Sequence, residues 1–167
     1  MRKEQVQFRF AEEKDVPLIL EFICGLAEYE KMSDQVVADE SLLKEWIFER
    51  GRAEVLFAVS QEREVGFALF FHNFSTFLGR AGIYLEDLYV LPEYRGKGYG
   101  KALLQRLAGV ALERGCGRLE WSCLDWNHPS IDFYLSLGAK RMDGWSAYRL
   151  SGEGLRQFGQ EGCPNEM

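Results

Sequence analysis

Glu86 and Asp87 stand side by side in an otherwise apolar run, Tyr84-Leu85-Glu86-Asp87-Leu88-Tyr89-Val90-Leu91. An unpaired carboxylate inside a strand of that character costs on the order of several kcal/mol, so a pair of them points to use rather than packing. The turn Pro92-Glu93-Tyr94 follows, then Arg95-Gly96-Lys97-Gly98-Tyr99-Gly100, then Lys101-Ala102-Leu103-Leu104, which opens a helix. Free N–H groups and the positive end of the helix dipole make such an entrance a seat for an anion. Glycines let the backbone approach a ligand closely, and Arg95, Lys97 and Lys101 add cationic charge for phosphate. An acid-bearing strand followed at once by a phosphate seat outlines an enzyme that uses a phosphorylated cofactor. The bland alternative is an ordinary glycine-rich turn.

Two common phosphate loops do not fit. A Walker loop needs Gly where Arg95 stands and Ser or Thr where Ala102 stands. A dinucleotide fingerprint puts its third glycine at Leu103. The pattern present is Arg95-x-x-Gly98-x-Gly100. A second cluster, Asp125-Trp126-Asn127-His128-Pro129-Ser130, lies at the end of a strand predicted over Arg118 to Leu124. Asn127 or Ser130 can cap a helix built on Ile131, Phe133, Tyr134 and Leu137 and ended by Gly138. Tyr134 fits either a core position or a functional hydroxyl. His72 and His128 have no sequence partner for metal or triad chemistry.

These residues need elements to hold them. Val6 to Phe10 alternates like a strand, with Phe8 and Phe10 on one face and Gln7 and Arg9 on the other. Asp15 and Pro17 suit the start of a helix that runs through Val16, Ile19, Phe22, Ile23 and Leu26 to about Tyr29. Its acidic end, Glu28-Tyr29-Glu30, opposes the dipole, which is natural if a cation binds there. Ser41 or Asp39 opens a second helix, which Gly51 ends. Strands at Glu54 to Ser60 and Val65 to Asn73 form a hairpin, the first of them central. The loop Phe74 to Arg80 is aromatic, either a substrate wall, a core edge or a dimer contact. After a helix stopped by Gly115, the last strands are predicted at Ala139 to Met142 and Trp145 to Leu150.

The composition fits one domain over 1–167, with its core at about 5–150 and a flexible tail at about 151–167. Twenty Lys and Arg against 26 Asp and Glu give −6, which disfavours a nucleic-acid face and suits a cationic small substrate. No apolar run approaches the roughly 18 to 20 residues of a membrane span, and Met1-Arg2-Lys3-Glu4-Gln5 is unlike a signal peptide. Cys24, Cys116, Cys123 and Cys163 lack metal or redox spacing. Buried free thiols, three of them in core-like contexts, in a cytoplasmic protein that holds no metal are the expectation.

Val90 to Gly100 resembles the acetyl-CoA motif of the GNAT N-acetyltransferase superfamily, Gln/Arg-x-x-Gly-x-Gly/Ala, and Asn127 to Tyr134 with Gly138-Ala139 is similar to its second motif. Leu26-Ala27-Glu28-Tyr29-Glu30, Tyr84 to Asp87, Asp125-Trp126-Asn127 and Gly144-Trp145 resemble the diamine acetyltransferase group. The resemblance implies a mixed α/β fold: a mostly antiparallel sheet of six to seven strands, about four flanking helices, and a splay at the acetyl-CoA site. It implies acetyl-CoA as cosubstrate, a small cationic amine as acceptor, and a homodimer; the alternatives are a protein lysine or N-terminus as acceptor, or a non-catalytic acetyl-CoA-binding sensor. Acetyl-CoA would be held by Leu88, Tyr89 and Val90, by Arg95, Gly96, Lys97, Gly98, Tyr99, Gly100 and Lys101, and by Asn127, His128, Pro129, Ser130 and Tyr134. Glu86 would act as general base through a water and Tyr134 would protonate the leaving thiolate. Tyr29, Glu30, Glu86, Asp87, Glu120, Trp121, Ser122, Asp143 and Trp145 would line the amine site. Asp87 points to the opposite strand face from Glu86 unless a bulge turns it, and the resemblance implies such a bulge, which would splay the strand and free backbone N–H groups at Leu88 to Val90. Phe74-Ser75-Thr76-Phe77 departs from the acidic loop of the spermidine/spermine type and is similar to the branch that prefers thialysine and lysine-like amines.

Overall fold

The computed structural model describes residues 5–160. They fall into two compact units, one running to Ser122 and one starting at Cys123.

The first unit is a five-stranded sheet in sequential order: β1 (Gln7–Phe10), β2 (Glu54–Ser60), β3 (Arg63–Ser75), β4 (Arg80–Val90) and β5 (Leu119–Trp121). The first four are antiparallel neighbours, and β5 joins β4 in parallel. The long, near-continuous apolar runs of β2 and β3 follow from their place inside the sheet, covered on both faces. Gln61 and Glu62, both at positive φ, close the β2–β3 hairpin in two residues.

Helix α1 (Val16–Tyr29) covers one face. Ile19 and Phe22, three residues apart, point into a cluster with Val55, Phe57, Phe67 and Tyr89. Phe22 stacks on Phe67 at 5.3 Å between ring centres and meets Tyr89 edge-on at 6.1 Å. Contacts of this kind add about 0.5–1.5 kcal/mol beyond burial. Helix α3 (Tyr99–Glu113) covers the opposite face with Leu103, Leu104, Leu107 and Val110. Between α1 and β2, Asp39 caps the short α2 (Glu40–Leu43) by accepting the Leu42 N–H at 2.8 Å, and a π-helical stretch, Lys44–Glu49, continues it. Gly51, at φ 62°, ends the run.

Arg9, on the face of β1 opposite Phe8 and Phe10, lies over Phe57 at 4.8 Å. Its guanidinium grips Asp15 with two bonds, at 2.7 and 2.8 Å, and Glu64 at 2.7 Å. The Asp15 side chain therefore does not cap α1; it is held by Arg9, which joins β1 to the start of α1 through Asp15 and to β3 through Glu64. Its carboxyl is held below the ordinary aspartate range, first by the bond from Arg9.

The second unit carries α4 (His128–Ser136) and α5 (Gly152–Gln160). Asn127 caps α4, with Oδ1 accepting the Ser130 N–H at 3.4 Å, and Gly138 ends it at φ 89°. Here the structure departs from the sequence reading. The described residues hold five strands rather than six or seven. Arg118 to Leu124 contributes only Leu119–Trp121, and residues 139–150 carry no strand; Trp145 and Tyr148 are 81% and 95% exposed. Alternating apolar residues form a strand only where a neighbouring ladder receives their N–H and C=O groups. The stretch expected as a flexible tail is helical through Gln160, supported by Arg156 paired with Glu153 at 2.9 Å. The thiols are also misplaced by the sequence reading: Cys24 is exposed, Cys116 and Cys123 are half-buried, and Cys163 lies outside the described residues. No helix among the described residues is long and apolar enough to cross a membrane.

Candidate active site

An irregularity in β4 creates the acid cluster. Leu85 pairs with Phe70 and Asp87 with Leu69, so Glu86 has no opposite residue in β3. Regular pleating would send Asp87 to the α3 face with Leu85. The bulge moves it by one position, onto the face of Leu69, Phe67 and Tyr89 that α1 covers. There Asp87 is half-buried and feels the charges of Glu86 and Glu30. Lost hydration, then repulsion from Glu86 and from Glu30, raises its carboxyl to about 6. Burial also raises Glu30, which follows the last residue of α1. Glu86 itself is exposed. Three carboxylates so gathered suit an incoming ammonium, which relieves the repulsion among them.

Beside the bulge the sheet opens. β5 pairs with β4 only from Ile83 to Leu85, while β4 continues to Val90. The Leu91 N–H bonds the Val65 carbonyl at 2.9 Å. Antiparallel alternation then turns the N–H groups of Asp87 and Tyr89 toward β3 and those of Leu88 and Val90 to the open edge. The Val90 carbonyl, on that same edge, accepts from Arg95 Nε at 3.0 Å.

The glycine run leads from there into α3. Gly96 and Gly98 have φ of 77° and 88°, values that strain other residues. A Cβ added at either would meet no atom within 4 Å, so the loop's outer side is open. The first helical bond is Ala102 N–H to Gly98 C=O at 3.0 Å, which leaves the N–H groups of Tyr99, Gly100 and Lys101 as the donors ahead of it. Open left-handed glycines and free first-turn amides fit a pyrophosphate. The Tyr99 side chain turns inward, and its hydroxyl donates to Ser60 Oγ at 3.0 Å. Lys97 Nζ and the Arg63 guanidinium both flank the Tyr94 ring, at 5.3 and 5.4 Å. Arg63 is a loop cation that sequence reasoning missed, because a hairpin 31 residues upstream delivers it.

The remaining predicted residues separate into groups. Tyr29 ends α1 and is 41% exposed. Glu120 is half-buried and accepts from Arg118 Nε at 2.6 Å and Asn73 Nδ2 at 3.2 Å, so its charge is already met. Ser122 Oγ shares a hydrogen bond of 2.7 Å with the Tyr84 hydroxyl, and Trp121 closes β5. In the second unit, Asn127 is buried, His128 and Pro129 open α4, and Tyr134 is half-buried with its ring 5.6 Å from that of Phe133. Asp143 pairs with Arg141 at 3.1 Å, and both it and Trp145 are exposed.

A family model, the Acetyltransferase (GNAT) family, matches residues 21–139. The chain belongs to that acetyltransferase family. The GNAT match runs from within α1 past the end of α4, so the bulge, the glycine loop and Tyr134 all fall inside it. The chain is 42% identical over 165 residues to the thialysine N-epsilon-acetyltransferase of Bos taurus, covering 92% of this chain and 96% of that one. An L-ornithine N5-acetyltransferase of Arabidopsis thaliana is 44% identical over 91 residues, 54% of this chain and 40% of that one. Among solved structures, an integron cassette protein from V. cholerae superposes with a TM-score of 0.78 at 28% identity, over 93% of this chain and 98% of that one.

Proposed function

We propose that this GNAT protein transfers the acetyl group of acetyl-CoA to the primary amine of a small cationic acceptor with a flexible chain, of the thialysine, lysine or ornithine kind. The observation that carries the reading is the β4 bulge. It gathers Asp87, Glu86 and Glu30 next to an open strand edge, with the end of β4 and one short turn, Pro92–Tyr94, leading from there to the glycine loop. The names of the similar enzymes, on thialysine and ornithine, support a terminal amine on a short flexible chain.

Acetyl-CoA, when bound, supplies an activated thioester acetyl group. The amides of Gly96 to Lys101 are proposed to hold its pyrophosphate, with Lys97 and Lys101 adding charge. The outward N–H groups of Leu88 and Val90 would face the thioester carbonyl and stabilise charge that develops there. An alkyl amine arrives protonated, with a solution pKa of about 10.4, and must shed a proton before it can attack. Asp87 and Glu30 would hold the ammonium, beside Tyr29. Glu86, exposed at the bulge, would take the proton through a water. Tyr134 is assigned the proton delivered to the departing thiolate. Transfer is direct, with both substrates bound together.

A panel of thialysine, lysine, ornithine, spermidine and an N-terminal peptide, read by release of free thiol from acetyl-CoA, tests the reading. Turnover of at least one free diamine or lysine-like amine, well above the peptide, is expected. Peptide acetylation alone would replace the acceptor class, and thiol release with none of them would overturn the enzyme assignment.

A further inference from the structure

Arg95 opens the glycine run, yet its side chain is committed behind the loop. Its Nε donates to the Val90 carbonyl at 3.0 Å, which draws the guanidinium back over the exit of β4. From there the group lies 4.9 Å from the ring centre of Tyr29 and 5.3 Å from that of Tyr89. Tyr89 is seated against α1 itself: a Cβ on Gly25 would come within 2.6 Å of its hydroxyl oxygen, so glycine at that helical position admits the ring. Tyr29 closes α1 one residue before Glu30. One guanidinium thus joins the end of the acid-bearing strand, the last turn of α1 and the residue before Gly96. The task suits arginine. Its planar group offers donors at the edge and flat faces for rings, whereas a lysine ammonium is a compact, strongly hydrated charge with no such face.

Resting on the acceptor reading above, we propose that Arg95 is a positioning residue for the amine site: its guanidinium fixes Tyr29 at the rim of the Glu30 and Asp87 acids, and the phosphates fall to the loop amides and the lysines.

The test compares Arg95→Gln, Arg95→Lys, Tyr29→Leu and the Arg95→Gln/Tyr29→Leu double variant. Steady-state kinetics use whichever amine the wild type acetylates, and calorimetry reads acetyl-CoA affinity separately. Arg95→Gln is expected to raise the acceptor KM about tenfold, with kcat and the acetyl-CoA Kd each changed less than about threefold. Arg95→Lys stays impaired, lacking the plane. Tyr29→Leu matches Arg95→Gln, and the double variant is no worse than either single change, as for two halves of one contact. Circular dichroism and thermal melts on every variant establish that each is folded before its kinetics are compared. A defect confined to the acetyl-CoA Kd would make Arg95 a phosphate ligand and overturn the proposal, as would multiplying effects in the double variant. A wild type that acetylates no amine fails the functional reading instead, a different result from an active wild type whose Arg95→Gln defect lies with acetyl-CoA.

Discussion

Asp87→Asn should give a more stable protein and a poorer enzyme. Asparagine keeps the shape of the side chain but carries no charge to bury. The carboxyl of Asp87 rises from the ordinary 3.8 to about 6 in the folded chain, so the fold binds this proton more tightly than the unfolded chain does. Wild-type stability is therefore highest below the unfolded value, declines as pH climbs through the interval up to about 6, and levels off above it. The difference corresponds to about 3 kcal/mol at neutral pH and above, mostly lost hydration, with Glu86 and then Glu30 supplying the rest. At roughly 2–4 °C per kcal/mol for a chain of this size, the variant should melt about 6–12 °C above wild type near pH 8, and the two should converge near pH 4. Catalysis moves the other way. Asp87 must be charged to hold the ammonium, so kcat/KM for the amine should rise through pH 6 in the wild type. The variant should lose that limb and about tenfold or more in kcat/KM, mainly through the acceptor KM. Thermal melts across pH and kcat/KM profiles on the same preparations check both halves. Equal melting temperatures near pH 8, or an acid limb at 6 that survives the substitution, would refute the reasoning.

Two further outcomes follow from other parts of the chain. Tyr134→Phe should lower kcat about tenfold or more with little change in either Kd, measured by single-turnover kinetics; an unchanged kcat removes its role as proton donor. Asp15→Asn should cost about 2–3 kcal/mol in urea denaturation at neutral pH, because it leaves the two-bonded Arg9 half-met. The Asp15 carboxyl is depressed by Arg9, so that deficit should persist above pH 4 and fade as acid protonates the wild-type residue, while an unvarying deficit would mean that packing rather than charge carries the effect.

Much of the local structure around the candidate site could be read from residue order, because local pattern decides those parts. Glycines alternating before Lys101 define the loop, Asn127 and Asp39 mark helix starts, and Gly51, Gly115 and Gly138 mark helix ends at positive φ. The bulge is different. Nothing in Tyr84 to Val90 by itself says that Glu86 lacks a partner, since the register is set by β3; the bulge was expected from the family resemblance, and the adjacency of two acids was the hint in the residues themselves. The same reason explains the strands expected after Gly138, whose pattern is present but whose ladder is not. α5 was hidden by Gly152, Gly154 and Gly159, weak helix formers, although Glu153 and Arg156 stand one turn apart and pair. Cys24 could have been placed correctly: Ile19 and Phe22 fix the inward side of α1, and position 24 falls away from it.

The hydroxyl of Tyr99 reaches from the first turn of α3 to Ser60 at the end of β2. A helix moored at its opening residue cannot swivel to suit what arrives. Its amides keep their aim in the empty protein, and the disorder they would otherwise lose on capture was lost when the chain folded. Under the proposed function, capture of a diphosphate would be docking into a finished receptacle.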